Sequence, residues 1–253
     1  MAFIDVDGAK LEYERIAGAN DRPAIVILHE GLGSLAMWRD FPQRVAAATG
    51  AETVTYSRRG YGQSDPLPGP RKVDYMHPEA QDVLPKLLRA LDIRRPLLVG
   101  HSDGASIAII HAGSGHEVAG LVLMAPHVFV EDLTVDSIAA IKEVWKTSAM
   151  GQRLGRYHRD AEHTFWGWND IWLLPAFKQW NIETFVPKIA APMLLIQGRD
   201  DEYGTPAQCE AIKARATAPC QVLMLEHCKH SPHRDQTEAT LVAIARFYRT
   251  IGH

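Results

Sequence analysis

The sequence predicts an α/β protein in which a mostly parallel sheet is covered by helices on both faces. Three observations carry this. Short, wholly apolar runs such as Ala24-Ile25-Val26-Ile27-Leu28 have the composition of strands buried on both faces. These runs alternate with segments of helical spacing. At Gly100-His101-Ser102-Asp103-Gly104 an apolar run passes straight into a helical pattern, with a serine between two glycines at the turn.

Phe3 to Val6 and Leu11 to Ile16 read as two strands joined by a turn at Asp7-Gly8. After the apolar run at 24–28, a helix is expected from Trp38 to Ala48, then a strand at Thr53-Val54-Thr55-Tyr56. Pro78 to Leu91 has helical spacing and leads into Arg95-Pro96-Leu97-Leu98-Val99, the strand before the serine turn. Ala105 to Ile110 starts a buried helix, and Gly120-Leu121-Val122-Leu123-Met124 is the next strand. Met193-Leu194-Leu195-Ile196 and Gln221 to Leu225 complete the strands, and Glu238 to Tyr248 is a closing amphipathic helix.

The stretch from about His127 to Pro187 breaks this alternation, since it offers helical patterns and no convincing strand. Five of the six tryptophans fall within it: Trp145, Trp166, Trp168, Trp172 and Trp180. An insertion between two strands of the sheet would form a helical lid. Some of its rings must hold a thin helical layer together. The crowding around Phe165-Trp166-Gly167-Trp168 suggests that others, among Trp145, Trp166, Trp168 and Trp172, face an apolar substrate pocket.

Composition bounds the rest. At 253 residues there is room for one large α/β domain or two small ones. The apolar share of 46% and charged share of 23% are those of an ordinary globular protein. A formal net charge of −3 and the lack of any basic run argue against a nucleic-acid surface. The segment from Met1 to Asp7 lacks signal-peptide character, and no apolar stretch approaches the ~20 residues of a membrane span. Three cysteines without metal-ligand spacing suit reduced thiols in a cytoplasmic protein.

The serine turn carries the chemistry. In the G-x-S-x-G nucleophile elbow a strained backbone pushes the hydroxyl out of the turn, and the residues two positions away must be small. A serine hydroxyl is a weak nucleophile until a base takes its proton, so a base and an orienting acid should follow. Asp200 and Asp201 directly succeed the penultimate strand, and His227, His230 and His233 follow the last one. Serine, then acid, then histidine is a known order for such a triad.

With these residues the chain resembles the α/β-hydrolase superfamily, nearly end to end. The resemblance rests on His29-Glu30-Gly31-Leu32-Gly33-Ser34, Ser57-Arg58-Arg59-Gly60-Tyr61-Gly62-Gln63-Ser64-Asp65, the elbow, Gly198-Arg199-Asp200-Asp201, and His230-Ser231-Pro232-His233. It implies an α/β-hydrolase fold with a core of residues 1–126 and 188–253 and a lid at 127–187. It also implies Ser102 as nucleophile, His230 as base and then acid, and Asp201, by the family's G-x-x-D spacing, as the orienting carboxylate. The oxyanion hole should combine the amide of Asp103 with that of Gly31, Leu32 standing next in line. Glu30 departs from the pattern, because glycine is common there. A carboxylate aimed at a developing oxyanion would repel it, so Glu30 is expected to turn towards Arg58 or Arg59. The side chains of His101 and Asp103 are read as structural, and Asp200, Glu202 and Tyr203 as loop-fixing groups.

Such a triad transfers an acyl group to water through an acyl-enzyme. A serine nucleophile argues against relatives that depend on an aspartate there. The size and lid resemble the small microbial carboxylic-ester hydrolases and the meta-cleavage-product hydrolases, but the elbow is not the Asn-Ser-Met-Gly-Gly type frequent in the latter. The first reading is therefore a carboxylic-ester hydrolase for a small apolar or aromatic substrate. Carbon–carbon bond hydrolysis is second, and a non-catalytic ligand-binding member of the fold is third. No cofactor and no metal are implied. The expected partner is a small-molecule substrate, with neither nucleic acid nor membrane, and a homodimer is left open.

Overall fold

The computed structural model describes residues 2–19 and 21–251, so residues 1, 20, 252 and 253 of the expected core lie outside it. A hairpin of β1 (Ala2–Val6) and β2 (Ala9–Ile16) opens the chain. Asp7 and Gly8, at φ of 52° and 75°, form its two-residue turn, which needs left-handed backbone at both positions. β3 (Ile25–Leu28) follows, then α1 (Phe41–Thr49) and β4 (Thr53–Tyr56). The helix expected over 38–48 is split. A single turn at Leu35–Trp38 stops where Arg39 adopts a φ of 55°, and α1 restarts with Pro42 in its first turn.

Helices α2 (Met76–Pro78) and α3 (Leu84–Ala90) are joined through a wide π turn, Glu79–Val83, into one continuous rod. β5 (Leu97–His101), α4 (Asp103–Gly113) and β6 (Gly120–Met124) form the central unit. Between β6 and β7 (Met193–Gly198) lie α5 (Asp132–Thr147), α6 (Met150–Leu154), α7 (Ala161–Leu173) and two 3-10 turns. This segment adds no strand to the sheet; an isolated bridge between Phe129 and Asn181 ties its ends. α8 (Ala207–Arg215), β8 (Cys220–Leu225), α9 (Pro232–Asp235) and α10 (Thr237–Ile251) complete the chain.

The eight strands form one sheet in the order β1-β2-β4-β3-β5-β6-β7-β8, and β2 alone runs against the rest. Alternate residues of each strand feed opposite faces. Val26, Leu28, Leu98, Leu121 and Leu123 pack on one side with Leu84, Leu87 and Ile109. Ile25, Ile27, Leu97, Val99, Val122 and Met124 pack on the other with Val45, Ile244 and Phe247. Both faces are therefore dry. The polar chemistry is confined to the carboxyl ends of the strands, where ligands of open α/β sheets bind.

Candidate active site

β5 delivers His101 and α4 begins at Asp103, so Ser102 alone makes the corner. Its backbone sits at φ 53°, ψ −117°, a strained conformation for a non-glycine residue, held by a hydrogen bond from its amide to the Met124 carbonyl (2.9 Å). Strand and helix approach too closely for side chains at the flanking glycines. A Cβ on Gly100 would lie 2.4 Å from the Gly104 carbonyl oxygen, and one on Gly104 2.1 Å from that of Leu28.

The structure brings Ser102, Asp201 and His230 together from the ends of β5, β7 and β8. His230 Nε2 lies 2.9 Å from Ser102 Oγ, and its Nδ1 lies 2.9 and 3.0 Å from the two Asp201 oxygens. With Nδ1 facing a carboxylate, the Nδ1 proton is donated there, and Nε2 is left to accept from the serine. Asp201 is fixed in turn by Gln197 Nε2 (2.7 Å) and the amides of Tyr203 (2.8 Å) and Gly204 (3.2 Å). Burial pushes the Asp201 carboxyl up, but the His230 bond and the Tyr203 amide outweigh this and hold it below its ordinary range. Asp200 is exposed and does not reach His230. His227 is exposed as well, and His233 is buried against Trp38 and Phe41.

The loop after β3 is tied down by its carbonyls. The Glu30 carbonyl accepts from His29 Nδ1 (2.7 Å), Arg58 Nη2 (2.8 Å) and the Gly33 amide (3.1 Å), while the Leu32 carbonyl faces His158 Nε2 at 3.0 Å. The amides of Gly31, Leu32 and Asp103 donate to no protein group among the described residues, and all three residues line the cavity at Ser102. Gly31 has no room for a side chain, because a Cβ there would meet Trp168 Nε1 at 2.2 Å.

Glu30 does turn away, but not towards an arginine carboxylate pair. Arg58 Nη2 takes the main-chain carbonyl of Glu30, and Arg59 Nε donates to the Pro66 carbonyl (2.8 Å). The Glu30 carboxylate instead faces His101 Nδ1 at 3.4 Å, and His101 Nε2 donates to the His230 carbonyl at 2.7 Å. Arg58 sits behind the elbow, 3.8 Å from Asp103 Oδ2, which also accepts from Tyr75. Burial raises the Asp103 carboxyl despite both partners. The elbow side chains thus form struts, and Asp103 offers the cavity its amide.

The cavity measures about 120 Å³ and has Ile138, Trp168, Trp172, Tyr203 and His127 in its walls. Of the four tryptophans expected there, only Trp168 and Trp172 line it. Trp145 is spent on stacking with Phe165 (ring centroids 4.1 Å), and Trp166 lies on the outer side of α7, under Lys142 and beside a surface hollow. Tyr203, expected only to fix its loop, is a wall residue too. The sequence reading missed Gln197 and His127. His127 stands just past the end of β6, and the strand-end rule alone could have nominated it. Among the described residues no cluster of His, Cys, Asp and Glu could hold a metal ion, and no helix is long and apolar enough to cross a membrane.

Comparison with known proteins places this geometry. A model of the alpha/beta hydrolase family matches residues 25–244. An alpha/beta hydrolase from a Medee basin deep-sea metagenome library superposes with a TM-score of 0.79 at 18% identity, covering 98% of this chain and 97% of that one. An enol-lactonase from Burkholderia xenovorans gives 0.75 at 19% identity, over 98% and 100% of the two chains. A thermophilic esterase from Thermogutta terrifontis gives 0.74 at 17%, over 99% and 97%. At such identities the likeness is one of fold.

Proposed function

The chain belongs to the alpha/beta hydrolase family, and we propose that within it the protein is a serine hydrolase cleaving the carboxylic ester of a small apolar or aromatic substrate. One observation carries this reading: the unbroken hydrogen-bonded run from Ser102 Oγ through the His230 ring to the Asp201 carboxylate. Ser102 Oγ attacks the ester carbonyl carbon as His230 Nε2 takes its proton. The oxyanion that forms is stabilised by the amides of Asp103 and Gly31, with Leu32 adjacent. Collapse expels the alcohol, protonated by His230, and leaves an acyl ester on Ser102. Water, deprotonated by the same imidazole, then attacks that ester, and the carboxylic acid departs.

The cavity supports a small substrate. Its roughly 120 Å³ falls somewhat below the ~150 Å³ void that takes up a benzene ring, so a short acyl chain fits. Residues 127–187 act as the lid, since α5 and α7 supply Ile138, Trp168 and Trp172 to its walls. The carbon–carbon alternative gains nothing from this cavity. A ring-fission dienoate is anionic, and no lysine or arginine appears in the lining among the described residues. The three free cysteines suit a reducing, cytoplasmic setting.

Hydrolysis of p-nitrophenyl acetate and butyrate tests the proposal. The protein should turn both over, Ser102→Ala should lose at least about a thousandfold in kcat, and a phosphonate inhibitor should be recovered by mass on the Ser102 peptide. A variant that keeps its activity, or faster cleavage of a ring-fission dienoate, would overturn it.

A further inference from the structure

His127 is an imidazole of the cavity wall that the proposed reaction does not use. Its ring stands between Trp172 and His230, with centroids 5.4 and 5.6 Å away. The chain is bent to put it there: Ala125, at the end of β6, adopts a φ of 46°, and Pro126 follows. Left-handed backbone at a non-glycine residue is costly and persists where the surroundings enforce it, commonly at ligand sites. The His127 carbonyl is anchored by Ser106 Oγ (2.6 Å), so the residue is fixed from behind while its ring is left free.

The two ring nitrogens have different surroundings. Nδ1 is buried and has no hydrogen-bond partner, its edge of the ring lying on Gly204. Nε2 also makes no protein hydrogen bond, yet it is not among the sealed atoms, so it opens on the cavity the ring lines. A buried donor without an acceptor costs more than a lone pair left idle. The single proton of the neutral ring therefore sits on Nε2 and points into the cavity. Burial and the neighbouring His230 keep the ring neutral, at a pKa of about 3.

We propose that His127 is a specificity-determining residue whose Nε2–H donates to a neutral acceptor oxygen of the substrate other than the scissile carbonyl oxygen: a ketone, ether or ring oxygen. This rests on the esterase reading of the Ser102 site. Its acceptor is uncharged because the lining holds no lysine or arginine among the described residues, and its other imidazoles are already engaged, His101 with Glu30 and His230 with Asp201. Of the other wall side chains, Thr134 donates to the Tyr203 carbonyl and His101 to that of His230, Ile138, Trp168 and Trp172 give apolar contact, and the side chains of Tyr203 and Ser231 complete the lining. The inference thus narrows the substrate class from small esters to small oxygenated esters or lactones.

Isosteric pairs test it. p-Nitrophenyl methoxyacetate and butyrate differ by oxygen for CH2 in the acyl part, and 2-methoxyethyl and butyl acetate differ likewise in the alcohol. For each pair the ratio of kcat/KM values is measured in the wild type, in His127→Leu and in His127→Gln, whose amide Nε2 replaces the ring donor. Dividing the variant ratio by the wild-type ratio cancels intrinsic ester reactivity. In His127→Leu the preference for the oxygenated member of one pair should fall about three- to tenfold, the worth of one neutral hydrogen bond, and His127→Gln should recover much of it. The pair that responds says which side of the ester carries the acceptor. If wild type and His127→Leu cleave both pairs with unmoved ratios, the assignment is overturned and the esterase reading stands. If the wild type cleaves no ester at all, both fall.

Discussion

Glu30 shows how one atypical residue is accommodated beside the proposed oxyanion site. Burial pushes its carboxyl up, but the bond to His101 and the attraction of that ring outweigh this, so it stays well below the ordinary carboxylate range. The carboxylate is thereby spent on a strut: Glu30 holds His101, and His101 holds the main chain of His230. Glu30→Gln keeps the shape and removes the charge. We expect it to lower stability by about 1–2 kcal/mol at pH 7, read by urea unfolding, and to reduce kcat far less than Ser102→Ala does. Unchanged stability would show that the Glu30–His101 contact supports nothing. The sequence showed that Glu30 was anomalous and that it must turn aside. It did not show where, because His101 and Glu30 meet only when β3 and β5 pair side by side.

At the scale of one element, α7 sorts its aromatic residues by helical geometry. Phe165, Trp168 and Trp172 are spaced three and four apart and share a face, whereas Trp166 points elsewhere. The first three are buried, and Trp168 and Trp172 meet the cavity. Trp168→Ala should therefore cost about 3–5 kcal/mol of stability and move the preferred p-nitrophenyl ester from short acyl chains towards longer ones. Trp166→Ala should leave that preference where it was. A chain-length shift in the Trp166 variant, or none in the Trp168 variant, would contradict this assignment of faces. The strands were legible because full burial on both faces leaves unbroken apolar runs such as 120–124, which no surface segment can imitate. The tryptophans were legible only as a crowd. Periodicity divides them between two faces but cannot say which one looks onto the elbow, since that depends on how α7 lies over the sheet.

Over the whole molecule, the same packing that assembles Ser102, Asp201 and His230 from three strand ends also encloses histidines that must stay neutral. Burial lowers His29, His158 and His233, and brings His111 to about 4 and His127 to about 3. In two of them a ring nitrogen must stay unprotonated to accept: His29 Nε2 takes the Arg58 amide and His158 Nδ1 the Gly62 amide. His111 Nδ1 donates to the Ala80 carbonyl, while its Nε2 is buried without a partner. In the unfolded chain all five take up a proton near 6.5, whereas in the folded chain they do so only at lower pH. Their folded values are depressed, so the stability they permit is fully present above about pH 6.5 and is withdrawn as pH falls towards their folded values. Each unit of difference is worth about 1.4 kcal/mol per group. Urea unfolding should therefore show stability several kcal/mol lower at pH 5.5 than at pH 7.5, with the slope m unchanged. His111→Asn, which retains a donor for Ala80 without a basic nitrogen, should flatten that loss by about 1 kcal/mol. Equal stability at the two pH values would mean that these rings are reached by water or charge in place, contrary to their burial.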